Sequence, residues 1–323
     1  MHPVSEAETR AIADFVVEHP NVGIVVTYGD ADNLSKTPEG ARPVSRRKPM
    51  TAIDEDDVGY YRAMGEVYRA ALGLDKELEG ASAGGSFSDW MYYHRGRLSL
   101  AARAWSPATA IELSKAAEKK EEPNSESDKS GKSGGDDDKR NEKERKELKW
   151  FDENAAKAFV KWRPVEHPDF PNRRVEVGGY VPFALTNPPA AMVEQVTAKH
   201  INFLTTAAQR LPRIGVRKIE TRHLGLSVYE VKIEVENTGF LPTSLAQGLT
   251  TREVHPTRLV VDLDDKYFLS GARFTTLPTI RGSGGVVEAR YTIKAPDRKK
   301  IGFEVVSMLG GRVEGTIELP DAK

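Results

Sequence analysis

From about residue 213 the chain changes rhythm, and that change limits the folds open to it more than any other feature. Tyr229, Val231, Ile233 and Val235 alternate with Glu230, Lys232, Glu234 and Glu236. A period of two sends successive side chains to opposite faces of a strand, so one face is apolar and the other polar. Asn237-Thr238-Gly239 reads as a turn, and further strand patterns follow at 259–263, 287–293, 301–305 and 313–319. Gly282-Ser283-Gly284-Gly285 and Gly310-Gly311 separate some of them. Several short strands with turn signals predict an all-β sandwich of immunoglobulin-like type over 213–323, able to fold alone and carrying no visible chemistry.

Before residue 213 the periodicity is mostly helical. Ser5 and Glu8 form a capping box ahead of Ala7, Ala11, Ile12, Phe15 and Val16, and His19-Pro20 ends that helix. Val22, Ile24, Val25 and Val26 form a continuous apolar run, which suits a buried strand ending at Thr27-Tyr28-Gly29-Asp30. Residues 31–52 are polar and basic; Arg46-Arg47-Lys48 makes them a solvated loop or an anion-binding patch. Asp54, Asp56 and Asp57 precede a helix, where its dipole favours carboxylates. Val58, Tyr61, Met64, Val67, Tyr68, Ala71 and Leu72 line one face of that helix, and Gly73 ends it.

Residues 118–147 are rich in Lys, Glu, Asp, Ser and Gly, with almost nothing apolar to offset ordering entropy. They predict a disordered insertion. A helical pattern then runs through Leu148, Trp150, Phe151, Ala155, Ala158, Phe159 and Val160 to Trp162-Arg163-Pro164. Asn187 reads as an N-cap with Pro188 at the first helical position. The helix it would open carries Met192, Val193, Val196, His200, Phe203, Leu204 and Ala207 as its apolar face.

The stretch 84–105 ties these pieces to a known family. Gly84-Gly85-Ser86-Phe87 is a glycine-rich loop, followed by Asp89-Trp90, Tyr92, Gly96, Ser99-Leu100 and Trp105. Trp90 and Tyr92 read as packing residues by themselves. In this order and spacing the stretch resembles a segment of the M14 zinc carboxypeptidases. Glu166-His167-Pro168 through Val175-Glu176-Val177-Gly178-Gly179 resembles a junction in a bacterial branch of that family. The resemblance implies the C-terminal part of a carboxypeptidase-like mixed α/β sheet over 1–165, a connecting segment and helix over 166–212, and the appended sandwich. It places Tyr92, Tyr93 and His94 along a substrate cleft, although His94 by itself reads as a surface or packed histidine. It also implies zinc, a peptide or protein C-terminus as partner, and a periplasmic or extracellular setting.

Two departures bear on activity. The family's catalytic glutamate falls on Arg103, and the position of its third zinc ligand falls on Thr27 or Tyr28. None of His2, His19, His94, His167, His200, His223 and His255 is followed by glutamate three residues on, so the family's first ligand pair is missing. Glu220 and His223 form a reversed pair between strand patterns, where a chance juxtaposition is the plain reading. Only two strand patterns precede residue 165, so the resemblance sets Met1 inside the family domain. The expectation is a chain that neither holds zinc nor hydrolyses peptides by itself. The competing expectation is a non-catalytic peptide-binding or scaffold protein.

Composition narrows the partners. The absence of cysteine removes disulfides, thiolate metal sites and a thiol nucleophile. A net charge of −1 gives no field for nucleic acid or an anionic membrane. No apolar run is long enough to span a bilayer, and the first residues lack the apolar core of a signal peptide.

Overall fold

A computed structural model describes residues 6–42, 50–81, 84–121, 136–295 and 298–320. The basic run at 46–48, Ser5 of the expected capping box, and 122–135 of the expected insertion lie outside these residues.

The N-terminal region is a two-stranded parallel layer packed under helices. It opens with α1 (Ala7–Glu18) and β1 (Ile24–Tyr28). Short β2 (Gly40–Ala41) and β3 (Ile53–Asp54) pair with each other. They are followed by α2 (Val58–Leu72), α3 (Phe87–Tyr93) and β4 (Leu98–Ala102). β4 runs parallel to β1, in register from Ile24 with Leu98 to Tyr28 with Ala102. The expected apolar stripe of α2 buries Tyr61, Met64, Tyr68 and Leu72 against Leu98, Leu100 and Ala102. Gly73 closes α2 in the left-handed conformation, at φ 84°, and its N–H donates to the carbonyls of Arg69 and Ala70. All five residues of β4 are buried, including Ser99 and Ala101, so polar alternation there does not mark an exposed face.

Next come α4 (Pro107–Glu121) and α5 (Asp136–Asn154). Residues 118–121 and 136–147 are therefore helical, where disorder was expected. Trp105, Ala110, Trp150 and Phe151 form a second small core between these helices. The helix predicted to run on to residues 162–164 stops at Asn154, and β5 (Phe159–Val165) pairs antiparallel with β6 (Val175–Tyr180). Phe159, Val160, Trp162 and Val165 are aromatic or β-branched, which suits a pleated strand better than a helix end. The following helix, α6 (Val193–Gln209), begins six residues after Asn187, behind a single 3₁₀ turn at Ala190–Met192. A proline disfavours the helical conformation in the residue before it, and Pro188-Pro189 holds Asn187 and Pro188 out of the helix. α6 buries His200, Phe203 and Ala207 against α2 and β1.

The C-terminal region consists of β7 (Ile214–Gly225), β8 (Val228–Asn237), α7 (Ala246–Thr251), β9 (Arg258–Val261), β10 (Phe268–Ser270), β11 (Phe274–Thr276), β12 (Gly285–Lys294), β13 (Lys300–Ser307) and β14 (Gly311–Glu318). They form two four-stranded antiparallel sheets, ordered β10-β12-β8-β7 and β11-β9-β13-β14. Val231, Ile233, Val235, Tyr291 and Ile293 of one sheet meet Leu259, Val261, Ile301, Phe303, Val305 and Ile317 of the other in a single core. The period-two reading of 213 onward is thus realised as a β-sandwich. In the whole chain, a mixed α/β layer precedes this all-β unit.

The two regions interlock through the excursion between β8 and β9. Leu241 and Leu245 sit in the core of the N-terminal layer. The buried carboxylate of Asp57 accepts the backbone N–H groups of Ala246 at 2.8 Å and Gln247 at 3.1 Å, so it caps α7 from about 190 residues away. Gln247 Nε2 donates to the Tyr93 carbonyl at 2.8 Å. Gly96, at φ 61°, lies so close to Gly248 that a Cβ on it would stand 2.4 Å from the Gly248 Cα. Arg95 pairs with Glu253 at 2.5 Å. The buried guanidinium of Arg97 donates to the carbonyls of Arg95 at 2.8 Å and Pro20 at 3.0 Å. Burial pulls its pKa down to about 10.

Candidate functional site

β1 and β4 are parallel, so their carboxyl ends lie side by side. In open α/β layers that edge is where backbone ends and loops leave room for a ligand. Here it opens into a cleft of about 500 Å³, lined among others by Tyr28, Asp30, Arg103, Trp105, Leu185 and Asn187. Arg103 is the first residue beyond β4 and is exposed. Its Nε donates to the Asp30 carbonyl at 3.2 Å, which draws the side chain across the end of β1. Its Nη groups have no partner among the described residues. The Arg103 backbone is held from below, where the Tyr68 hydroxyl donates to its carbonyl at 3.3 Å.

Tyr28 forms the opposite wall. Its hydroxyl meets His200 Nδ1 at 3.1 Å, and His200 Nε2 lies 2.8 Å from the Ala104 carbonyl. A carbonyl only accepts, so Nε2 carries the proton. Nδ1 then accepts, and the Tyr28 hydroxyl donates to it. Burial, with the neighbouring charge of Lys199 adding to it, lowers the His200 pKa against the opposing bond to Ala104. The ring is therefore neutral near pH 7. Burial also raises the Tyr28 pKa, which keeps its phenol protonated. Trp105 is buried, and its Nε1 has no partner among the described residues.

The third wall is the turn after β6. Phe183 holds a left-handed backbone, φ 67°, and its carbonyl accepts from Thr186 N at 3.0 Å and Asn187 N at 2.8 Å. That turn presents Leu185, Thr186 and Asn187 to the cleft.

Three of the expected cleft residues sit elsewhere. Tyr92 is 1% exposed. Its hydroxyl donates to Asp57 Oδ2 at 2.9 Å and accepts from Asp54 N at 2.8 Å. A buried phenol needs such partners, and α3 turns it toward Tyr61 of α2, so it is a core residue and not a cleft residue. Tyr93 is half-buried and lines a separate depression of about 520 Å³ beside Asp32 and Asp89. His94 is exposed at the end of α3. Neither lines the Arg103 cleft. His223 lies tilted against Tyr229 in the sandwich, with ring centroids 5.1 Å apart.

Asp30, Leu185 and Asn187 as wall residues, and His200 as the residue behind Tyr28, were not singled out from the sequence. For His200 a signal existed: it is the polar member of an otherwise apolar helical stripe.

The donor set at the cleft does not fit zinc. His200, buried behind Tyr28, already has protein partners on both nitrogens, and the cleft's own side chains offer hydroxyls, an indole, a guanidinium, an amide and one carboxylate. Among the described residues no group of three or more His, Cys, Asp or Glu side chains converges. None of their helices is long and apolar enough to cross a membrane.

Residues 213–318 match the family DUF8731, a domain of unknown function. Curated proteins give no match. Solved structures similar to part of the chain include beta-glucosidase 3B from Thermotoga neapolitana. In its complex with alpha-D-glucose the identity is 10% and the TM-score 0.19, over 33% of this chain and 16% of that one. In its complex with glycerol the identity is 11% and the TM-score 0.17, over 34% and 16%. The aligned part is under a fifth of that enzyme's length, and likeness at this level carries no argument about fold or activity.

Proposed function

We propose that the cleft binds the free carboxylate end of a peptide without hydrolysing it, on a scaffold of the M14 carboxypeptidase type. The observation that carries this reading is the meeting of Arg103 and Tyr28 at the carboxyl ends of paired parallel strands. These are the positions where the family resemblance expects the catalytic glutamate and the third zinc ligand. A guanidinium presents a planar fork of donors matched to a carboxylate. It takes no proton from water, so it does not replace a general base, which contributes roughly 10²–10⁴ in rate. The family's activity, zinc-dependent release of a C-terminal amino acid, is therefore not the activity proposed for this chain.

The test compares short fluorescent peptides that differ only in a free or an amidated C-terminus. The free acid should bind roughly ten-fold tighter or better, in line with a charged hydrogen-bonded pair. Arg103→Ala should remove that preference while leaving the thermal midpoint unchanged, because Arg103 is exposed. Equal affinity for acid and amide would overturn the reading. Release of the terminal residue, stopped by a chelator, would restore the enzyme reading instead.

A further inference from the structure

Strand β1 has one partnered edge and one open edge. Gly29 N donates to the Ala102 carbonyl, which sets the phase of the pairing. Backbone groups of alternate residues point to opposite edges, so Val25 and Thr27 share the phase of Gly29 and face β4. Ile24, Val26 and Tyr28 face away. No hydrogen bond reaches their N–H or C=O groups among the described residues. The far edge of β4 is treated differently. Asn33 covers it: Asn33 N donates to the Ala101 carbonyl, Asn33 Nδ2 to the Ser99 carbonyl at 3.0 Å, and Ala101 N donates to Asn33 Oδ1 at 2.8 Å. One residue thus imitates a strand on β4, and among the described residues nothing does so on β1.

The open edge also lacks the usual protection. No charged residue or proline occurs from Asn21 to Gly29, and every residue of β1 keeps some solvent exposure, with Tyr28 at 40%. Unprotected edges of this kind pair with an added strand. The outward groups of Ile24, Val26 and Tyr28 recur about every 6.6 Å, a spacing that another extended chain matches.

Direction follows from charge. A strand laid parallel to β1 ends at Tyr28, where Arg103 has crossed the end of β1 with its Nη groups unpartnered among the described residues. We infer that the peptide is held as a third, parallel strand on the open edge of β1, its backbone paired with Ile24, Val26 and Tyr28 and its terminal carboxylate at Arg103. This rests on the carboxylate reading of the cleft and adds the mode of binding. The ligand class is then an extended C-terminal segment of about five residues, rich in β-formers. An antiparallel strand would bring an amino end to Arg103 and is disfavoured by charge.

The probe is an acetylated pentapeptide of alternating valine and threonine with a free carboxylate. Its affinity is compared with that of versions N-methylated at single successive amides. Methylation at alternate positions should weaken binding roughly ten-fold, about one edge hydrogen bond each, and the intervening positions should be silent. The Ile24, Val26 and Tyr28 amides should gain protection from hydrogen exchange when the peptide is present. Val26→Pro gives the second arm. The N–H it removes faces the open edge, so no bond to β4 is lost, and proline is tolerated at such positions. The variant should keep its circular dichroism and lose the peptide.

Carboxylate-dependent binding that ignores N-methylation would overturn the strand mode and leave the Arg103 reading standing. Absence of any carboxylate dependence would overturn both. A wild-type dimer that Val26→Pro converts to monomer would show a second copy on this edge and overturn the peptide as its occupant.

Discussion

The sandwich and the β1–β4 layer solve the same problem with unequal means. The sandwich has eight strands, two faces turned inward and a core whose inner positions alternate along β8, β12 and β13 without a break. The layer has two strands, and it closes only by borrowing α6, Leu241 and Leu245 from later in the chain. The difference teaches where binding chemistry can sit. A region whose backbone is mostly paired among its own strands, with edges only at β7, β10, β11 and β14, leaves less for a ligand to complete. The two-stranded region keeps an open strand edge, a guanidinium whose Nη groups have no partner among the described residues, and a buried neutral histidine within one neighbourhood.

The strongest way to break this comparison is to damage the self-sufficient part and watch the dependent one. All four tryptophans, Trp90, Trp105, Trp150 and Trp162, precede the sandwich. Ile233→Ala removes a fully buried side chain from the sandwich core and should cost about 2–5 kcal/mol. If the interlock couples the two regions, the midpoint read by tryptophan fluorescence falls with it. A tryptophan midpoint that stays put would show that the layer stands alone.

Gly96→Ala attacks the seam itself. The left-handed backbone and the 2.4 Å approach to Gly248 both oppose a Cβ, and the expected cost is about 1–3 kcal/mol. Fluorescence and far-ultraviolet circular dichroism should then report separate transitions where the wild type gives one. Coincident transitions in the variant would count against the seam as the coupling element.

Asp57 sharpens the comparison through pH. Burial raises its pKa against the bonds from Gln247, Ala246 and Tyr92 that oppose the rise. The sign follows directly: a raised folded pKa means that stability present at low pH is lost as pH climbs through it. Chemical denaturation of wild type and Asp57→Asn across pH 3 to 7 isolates this group. The wild type should lose ground to the variant as pH rises. A difference independent of pH would mean that burial and the capping bonds cancel.

The smallest effect belongs to the outer face of the sandwich. Lys300 and Glu318 pair at 2.8 Å, both in solvent. Lys300→Ala should leave the thermal midpoint where it was, as exposed pairs add little. A clear drop would show that the sandwich, too, leans on its surface.

Legibility in the sequence follows the same division. The strands of the sandwich alternate in plain view because each buries one face against a neighbour close in sequence. The stripe of α2 was equally plain. Tyr92 by itself reads as a packing residue, and only the family resemblance sends it to a cleft; what stays illegible is its partner, Asp57. Asp57 itself reads as a residue at the head of its own helix, whereas it caps a helix about 190 residues on. Tyr28 and Arg103 meet at the cleft, with His200 buried behind Tyr28, from three distant stretches of the chain, and no local pattern reports such a meeting. Arg103 was found because a family pattern named its position, not because of its surroundings.

The long reach of Asp57 also sets an order of events during synthesis. Carboxylate, strands and helix stripe all lie at or before residue 102, yet their core waits for Phe203, Leu241, Leu245 and the α7 amides. Contacts so distant along the chain close late and slowly. On the ribosome, the uncharged stretch from Val22 to Tyr28 is made well before Phe203, Leu241 and Leu245 and waits for them without their cover. An apolar strand left open for that interval is a natural target for a chaperone that recognises extended segments, and its exposure is built into the topology of the fold.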